Sequence, residues 1–184
     1  MEGFPAVAST DCSGRNFVST GRDMTESEIE IIQTERFGEI KVPKKEILFF
    51  PEGLLGFAEM KRYVFIEETA YAPFLWMQSL EDPHLCFVVV NPLEFLASYQ
   101  IDVKPVEIQS LELNDLNQAR ILSIVVVRED PALITANLQG PLIINPATCQ
   151  GKQVVLLTDR YHTRHYILQE AGQLQSEAPD TRGE

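Results

Sequence analysis

The strongest constraint in this sequence is the punctuation of its apolar runs. Short apolar segments recur every 8 to 15 residues, and Pro, Gly or Asn cuts off most of them. Glu46 to Phe50 ends at Pro51-Glu52-Gly53. Asp82-Pro83 leads into Leu85 to Val90, a β-branched and aromatic run that Asn91-Pro92 stops. Ile121 to Val127 ends before Asp130-Pro131, and Leu133 to Leu138 ends at Gly140-Pro141. Leu142 to Ile144 ends at Asn145-Pro146. Such residues fix turns by their backbone preferences, so each run is too short for a packed helix. No long segment keeps a 3.6-residue period, which argues against helices wrapped around a parallel sheet.

This pattern predicts an all-β fold with one or two short helices: a small β-barrel or barrel-like sandwich. Strand-like groups are also expected at Ile29, Ile31 and Phe37 and at Ile40 and Val42, broken around Gly38, with further strands at Tyr63–Ile66, Phe74–Met77 and Val154–Leu157. Pro92 to Leu96 is expected to open a short helix, with Asn91 as its cap and Pro92 at the first position. A second short helix is placed near Val106 to Leu111. Tyr161 to Leu168 fits strand or helix equally well.

Charge divides the chain into three parts. Residues 29–168 hold 18 acids and 12 bases; the two ends hold 9 acids and 3 bases. We therefore expect a flexible arm over 1–28, one domain over 29–168 and an acidic tail over 169–184. Met24 offers an alternative start within that arm. The net charge of −12 disfavours nucleic-acid binding, since no basic cluster exceeds Lys44-Lys45 or Lys61-Arg62. An acidic surface instead favours encounter with a basic protein.

The N-terminus lacks the basic and apolar regions of a secretory leader. The longest uncharged stretch, Pro131 to Gly151, carries three prolines and cannot form a membrane helix. Cys12, Cys86 and Cys149 are odd in number and lack CxxC spacing, which argues against a disulfide framework or a zinc site. Cys86 is expected to be a buried thiol. The cysteine usage suits a reducing cytoplasm.

A search for chemistry finds little. His162 and His165 are three residues apart but lack further ligands in pattern, and His84 follows a turn. GxSxG and P-loop motifs are missing. Gly53 and Gly56 lack the third glycine of a dinucleotide fingerprint. Glu67 and Glu68, as strand neighbours, would point to opposite faces. We therefore assign no catalytic residue, metal ligand or cofactor.

What remains is apolar text in turns. Leu54, Leu55 and Phe57 flank the two glycines and serve either as a core cap or as an exposed contact. The segment Leu138-Gln139-Gly140-Pro141 offers a charge-free edge for strand addition.

Three segments together carry a family resemblance. Phe50-Pro-Glu-Gly-Leu-Leu-Gly-Phe57 resembles an early F-x-x-G-L-x-G-F signature. Phe87 to Pro92 followed by Tyr99 resembles a central F-x-V-x-x-P…Y segment. Asn137-Leu-Gln-Gly-Pro-Leu-Ile-Ile-Asn145, with Gln153-Val-Val-Leu and Tyr161, resembles an N-L-x-[AG]-P-[LIV]-x-I-N signature. The family is that of the bacterial flagellar assembly factor FliW, and the match spans about residues 29–168. The resemblance implies a cytoplasmic, non-enzymatic β-barrel that binds new flagellin near its terminal helical region. It also implies binding to the RNA-binding translational repressor CsrA, with the two partners in competition. Release of flagellin by export would free the factor to sequester CsrA and restore flagellin translation. Expected partner contacts are Leu54, Leu55, Phe57, Leu138, Gln139 and Pro141, with Glu52, Glu59, Glu67, Glu68, Glu81 and Asp82 as acidic contributors. A monomer without membrane or direct nucleic-acid contact is expected. The alternative reading is a barrel that binds a small molecule among its Phe and Val strands.

Overall fold

The computed structural model describes residues 8–10, 12 and 28–168. The expected acidic tail, Met24 and most of the expected arm lie outside them.

Seven strands close a barrel. They are β4 (Leu48–Phe49), β5 (Arg62–Glu67), β6 (Leu75–Ser79), β7 (Cys86–Val90), β8 (Arg120–Val126), β10 (Leu142–Asn145) and β11 (Gln150–Gln153). Their order is β10-β11-β4-β5-β6-β7-β8, and β10 pairs again with β8 to close the ring. All these pairings are antiparallel except β11 with β4, which meet in parallel at Gln150 and Phe49. Closure removes most open strand edges. The rest of the β8 edge holds β9 (Thr135–Ala136), and β12 (His165–Tyr166) extends from β9.

The apolar runs are unbroken because their strands are buried on both faces. Along β5, Tyr63 and Phe65 point into the barrel with Phe50, Met77, Leu122, Leu142 and Ile144. Val64 and Ile66 point outward, under a hairpin of β2 (Ile29–Thr34) and β3 (Gly38–Pro43). All four β5 side chains are fully buried. In β10, Ile143 likewise points away from the interior and packs with Leu111, Leu113 and Val154. A third apolar layer joins Val90, Phe95, Tyr99, Val125, Leu138, Leu156 and Tyr161 outside β7 and β8.

The expected short helices exist. Asn91 caps a 3-10 turn over Pro92–Glu94 by accepting the Leu93 N–H. The second is α1 (Pro105–Gln109), which begins on its proline.

Three expectations need correction. Leu133 to Leu138 yields a strand of only Thr135–Ala136. Val154 to Leu157 is not a ladder strand, although Val154 N–H donates to the Pro141 carbonyl and Leu156 N–H to that of Gln139. Pro141 lacks the N–H that would return the bond, so the regular ladder stops at Gln153. The true strand, β11, lies one segment earlier. Its polar Gln-Gly-Lys-Gln text hides it, and buried Gly151 lies flat against the Phe50 ring.

Cysteine pairing is the third correction. Cys12 and Cys149 form a disulfide across 137 residues of chain, with Cα atoms 5.6 Å apart. Barrel closure brings together what the sequence holds apart, so spacing along the chain was no guide. Cysteine usage therefore no longer supports a reducing compartment. Cys86 is free and half-buried, and burial pushes its thiol up to about 11. Part of the expected arm is also held: β1 (Ala8–Thr10) pairs antiparallel with β5.

Candidate partner-binding groove

The loop after β4 is set by two glycines. Gly53 has φ +68°, and a Cβ there would lie 2.7 Å from Ala58 backbone atoms. Gly56 has φ +85°. These conformations suit glycine, and they let Leu54 and Phe57 bridge across the turn. Leu54 drops into the barrel core. Leu55 turns outward and is 63% exposed, while Phe57 lies edge-on to Phe87 at 5.1 Å.

Gln153 ties this loop to the segment after β9. Its Oε1 accepts the Leu55 N–H at 2.9 Å, and its Nε2 donates to the Gly140 carbonyl at 3.1 Å. Gly140 N–H in turn donates to Asn137 Oδ1 at 2.9 Å. A side chain on Gly140 would crowd both amides, since its Cβ would lie 2.9 Å from Asn137 Nδ2 and 3.2 Å from Gln153 Nε2. Lys152 adds an ionic tie. Its Nζ meets Glu52 at 3.0 Å and also Glu107 of α1 at 2.6 Å. The Glu107 hydrogen bond, then that of Glu52, holds the ammonium above its usual pKa.

Tyrosines hold the far side. Tyr99 donates its hydroxyl to the buried Leu138 carbonyl at 2.8 Å. The Gln100 N–H donates to the Tyr161 hydroxyl at 2.9 Å, and the two rings stand 4.7 Å apart. Burial raises the Tyr99 phenol far above its ordinary pKa.

Between these supports runs a groove of about 930 Å³, lined by Gln100, residues 102–105 and Glu107, by residues 152–158, and by Glu52, Arg160 and Tyr161. The 154–157 wall alternates. Val154 and Leu156 are buried, whereas Val155 is 51% and Leu157 91% exposed. Exposed Leu55 lies beside this wall through its bond to Gln153. The loop of the first signature and the 137–141 segment of the third are thus tied through Gln153, which lines the groove, and Tyr99 of the second holds the Leu138 carbonyl.

The expected contact residues divide by placement. Leu55 and Phe57 are exposed, Gln139 is half-buried, and Leu54, Leu138 and Pro141 are buried in this structure. Those three support the surface rather than form it. The edge expected to be open at Gln139–Pro141 is already taken by Val154 and Leu156. Of the acids, Glu52 stands at the groove and Glu59 just beyond its loop. Glu67 and Glu68 sit at the other end of β5, and Glu81 and Asp82 at the β6–β7 turn. Glu81 pairs with Arg62, which also bonds Glu30. The acids are thus spread over the surface rather than gathered on one face. Sequence reasoning missed Val155 and Leu157 as surface residues, because an apolar run reads as core from either face.

Aromatic and aliphatic side chains pack the barrel interior, and the groove lies outside it. Among the described residues, no three His, Cys, Asp or Glu side chains are grouped to hold a metal. No described helix is long and apolar enough to cross a membrane.

A family profile described as FliW protein matches residues 30–167. The chain belongs to the FliW family. It is 39% identical to the flagellar assembly factor FliW of Alkaliphilus metalliredigens over 152 residues, 82% of this chain and 94% of that one. The FliW of Geobacter sulfurreducens is 40% identical over 151 residues, 82% of this chain and 93% of its own. A crystal structure of a flagellar assembly factor FliW superposes with a TM-score of 0.70 at 32% identity, covering 75% of this chain and 96% of that one. The shared region is the barrel with its groove. The three FliW signatures thus do local work here: one shapes the glycine loop, one places Tyr99, and one supplies the carbonyls that Tyr99 and Gln153 hold.

Proposed function

We propose that this FliW-family protein is a non-enzymatic flagellar assembly factor that binds flagellin in the cytoplasm and antagonises CsrA, relieving repression of flagellin mRNA. One observation supports the reading: beside the glycine loop that exposes Leu55 runs a groove whose wall exposes Val155 and Leu157. Exposed Leu55, Val155 and Leu157, bordered by the charged groups Glu52, Asp102, Lys104, Glu107, Lys152 and Arg160, suit an amphipathic helical segment such as a flagellin terminus. The acidic body suits CsrA, whose RNA-gripping surface must be basic. CsrA is then repelled from RNA by a neighbour of like charge to the phosphates, bound beside the RNA surface rather than on it. Flagellin and CsrA exclude each other, which makes the protein a partner switch.

The test uses purified partners. The monomeric protein is titrated with flagellin and, separately, with CsrA at micromolar concentration and moderate salt. Binding of each alone, and loss of CsrA binding when flagellin is added, is expected. Binding of neither partner would defeat the reading. A ternary complex would retain the two partners but remove the switch.

A further inference from the structure

Strand β5 has two edges, and their use alternates along the chain. Leu80 N–H donates to the Arg62 carbonyl, so Arg62, Val64 and Ile66 turn their backbone groups toward β6. Tyr63, Phe65 and Glu67 turn theirs the other way. On that second edge β4 reaches only Arg62 and Tyr63. The remainder, Phe65 to Glu67, is covered by β1 through Thr10, Ser9 and Ala8.

Three residue pairs are a weak hold for a strand this far from the rest of the fold in sequence. Two contacts beside β1 reinforce it. Cys12 is 2% exposed, lies within the barrel-core cluster and is bonded to Cys149 in the turn between β10 and β11. Its carbonyl also accepts from Arg120 Nη1 at 3.4 Å, while the Arg120 guanidinium lies 4.6 Å over the Phe65 ring. The covalent tie therefore joins the chain just past β1 to the turn between β10 and β11. Cys149 is half-buried, which leaves its sulfur within reach of a thiol.

We infer that the Cys12–Cys149 bond is a redox latch: closed, it holds β1 on the β5 edge, and open, it uncovers Phe65 to Glu67. This device goes beyond the assembly role and does not depend on it. The chemistry is thiol–disulfide exchange with a dithiol reductant. One thiolate of the reductant attacks Cys149 Sγ, the Sγ–Sγ bond breaks, and Cys12 leaves as a thiolate that takes up a proton. The reductant's second thiolate then displaces Cys149, which is also protonated. Two electrons pass to the protein pair, and the reductant departs as its own disulfide. Disulfide exchange in the reverse direction closes the latch.

The full chain tests this. Peptide mapping under non-reducing conditions is followed by amide hydrogen exchange, with and without dithiothreitol. The latch predicts a cross-linked peptide joining Cys12 to Cys149 in the oxidised protein. It also predicts that exchange at the Phe65 and Glu67 amides speeds by at least about tenfold on reduction, with Ile66, β6 and β7 unchanged. A double variant, Cys12→Ser with Cys149→Ser, should match the reduced protein under both conditions. Absence of the cross-link would overturn the proposal, as would unchanged protection of the Phe65 and Glu67 amides. Equal acceleration across β6 and β7 would also overturn it, because the bond would then support the whole barrel rather than one strand.

Discussion

At the scale of single residues, backbone geometry and hydrogen bonds explain why particular positions hold the groove in shape. Gly53 combines a left-handed backbone with a Cβ position 2.7 Å from Ala58 backbone atoms. Gly53→Ala should therefore cost roughly 2–3 kcal/mol in chemical denaturation. Gly56→Ala has open space and only the backbone penalty, about 1 kcal/mol. Equal costs for the two would contradict this account of the loop. Tyr99→Phe leaves the buried Leu138 carbonyl without its hydroxyl donor and should cost about 1–2 kcal/mol. His84 Nδ1 stands 3.1 Å from Glu35 Oε2, tying the hairpin turn to the β6–β7 turn. That hydrogen bond, then the Glu35 charge, raises the His84 pKa from 6.5. A raised folded-state value means the protonated form favours the fold. The contribution is complete below 6.5 and is lost as pH rises through the folded value. Titration by NMR should place His84 above 6.5, and Glu35→Gln should return it toward 6.5.

Elements decide which side chains become surface. The 154–157 segment is tied to Gln139 and Pro141 on one edge, so its alternate side chains face the groove. Leu157→Asp should change stability by less than about 0.5 kcal/mol, since its side chain is largely exposed, and Val155→Asp, at a half-exposed position, by no more than about 1 kcal/mol. A large loss of melting temperature would show that they pack in the free protein. Leu156→Ala, buried between them, should instead cost about 2–5 kcal/mol. Most elements were legible because buried strands carry unbroken apolar runs: β7 and β10 end at Asn-Pro, β8 runs out shortly before Asp130-Pro131, and β5 ends at Glu67-Glu68. Strand β11 was not, because its backbone completes the barrel while its polar side chains tie loops together. Gln153 shows the same limit at the groove. Its partners, Leu55 and Gly140, are distant in sequence, and no local pattern marks a glutamine that bridges two loops. The signature segments did name the groove's supports, but not which of their side chains face outward. Burial of Leu54, Leu138 and Pro141 follows from barrel curvature, which a linear pattern does not carry.

For the molecule as a whole, net charge and surface texture separate the two proposed encounters. The chain carries −12, spread over the barrel and both ends rather than on one patch. Its association with CsrA should therefore slow steadily as salt rises, as seen by stopped flow, while flagellin binding through the exposed apolar side chains should be less salt-sensitive. A flat response for CsrA would remove electrostatic steering from the account. The central claim is that flagellin binds at the groove wall formed by Val155 and Leu157, beside Leu55. Its most direct test is a calorimetric titration of flagellin into the protein and into the Val155→Asp, Leu157→Asp double variant, with the melting temperature of each recorded. We predict at least about a tenfold loss of affinity, as expected for a charge placed at an apolar contact, with little change in melting temperature. Unchanged affinity in a folded double variant would contradict the claim and place flagellin elsewhere on the barrel.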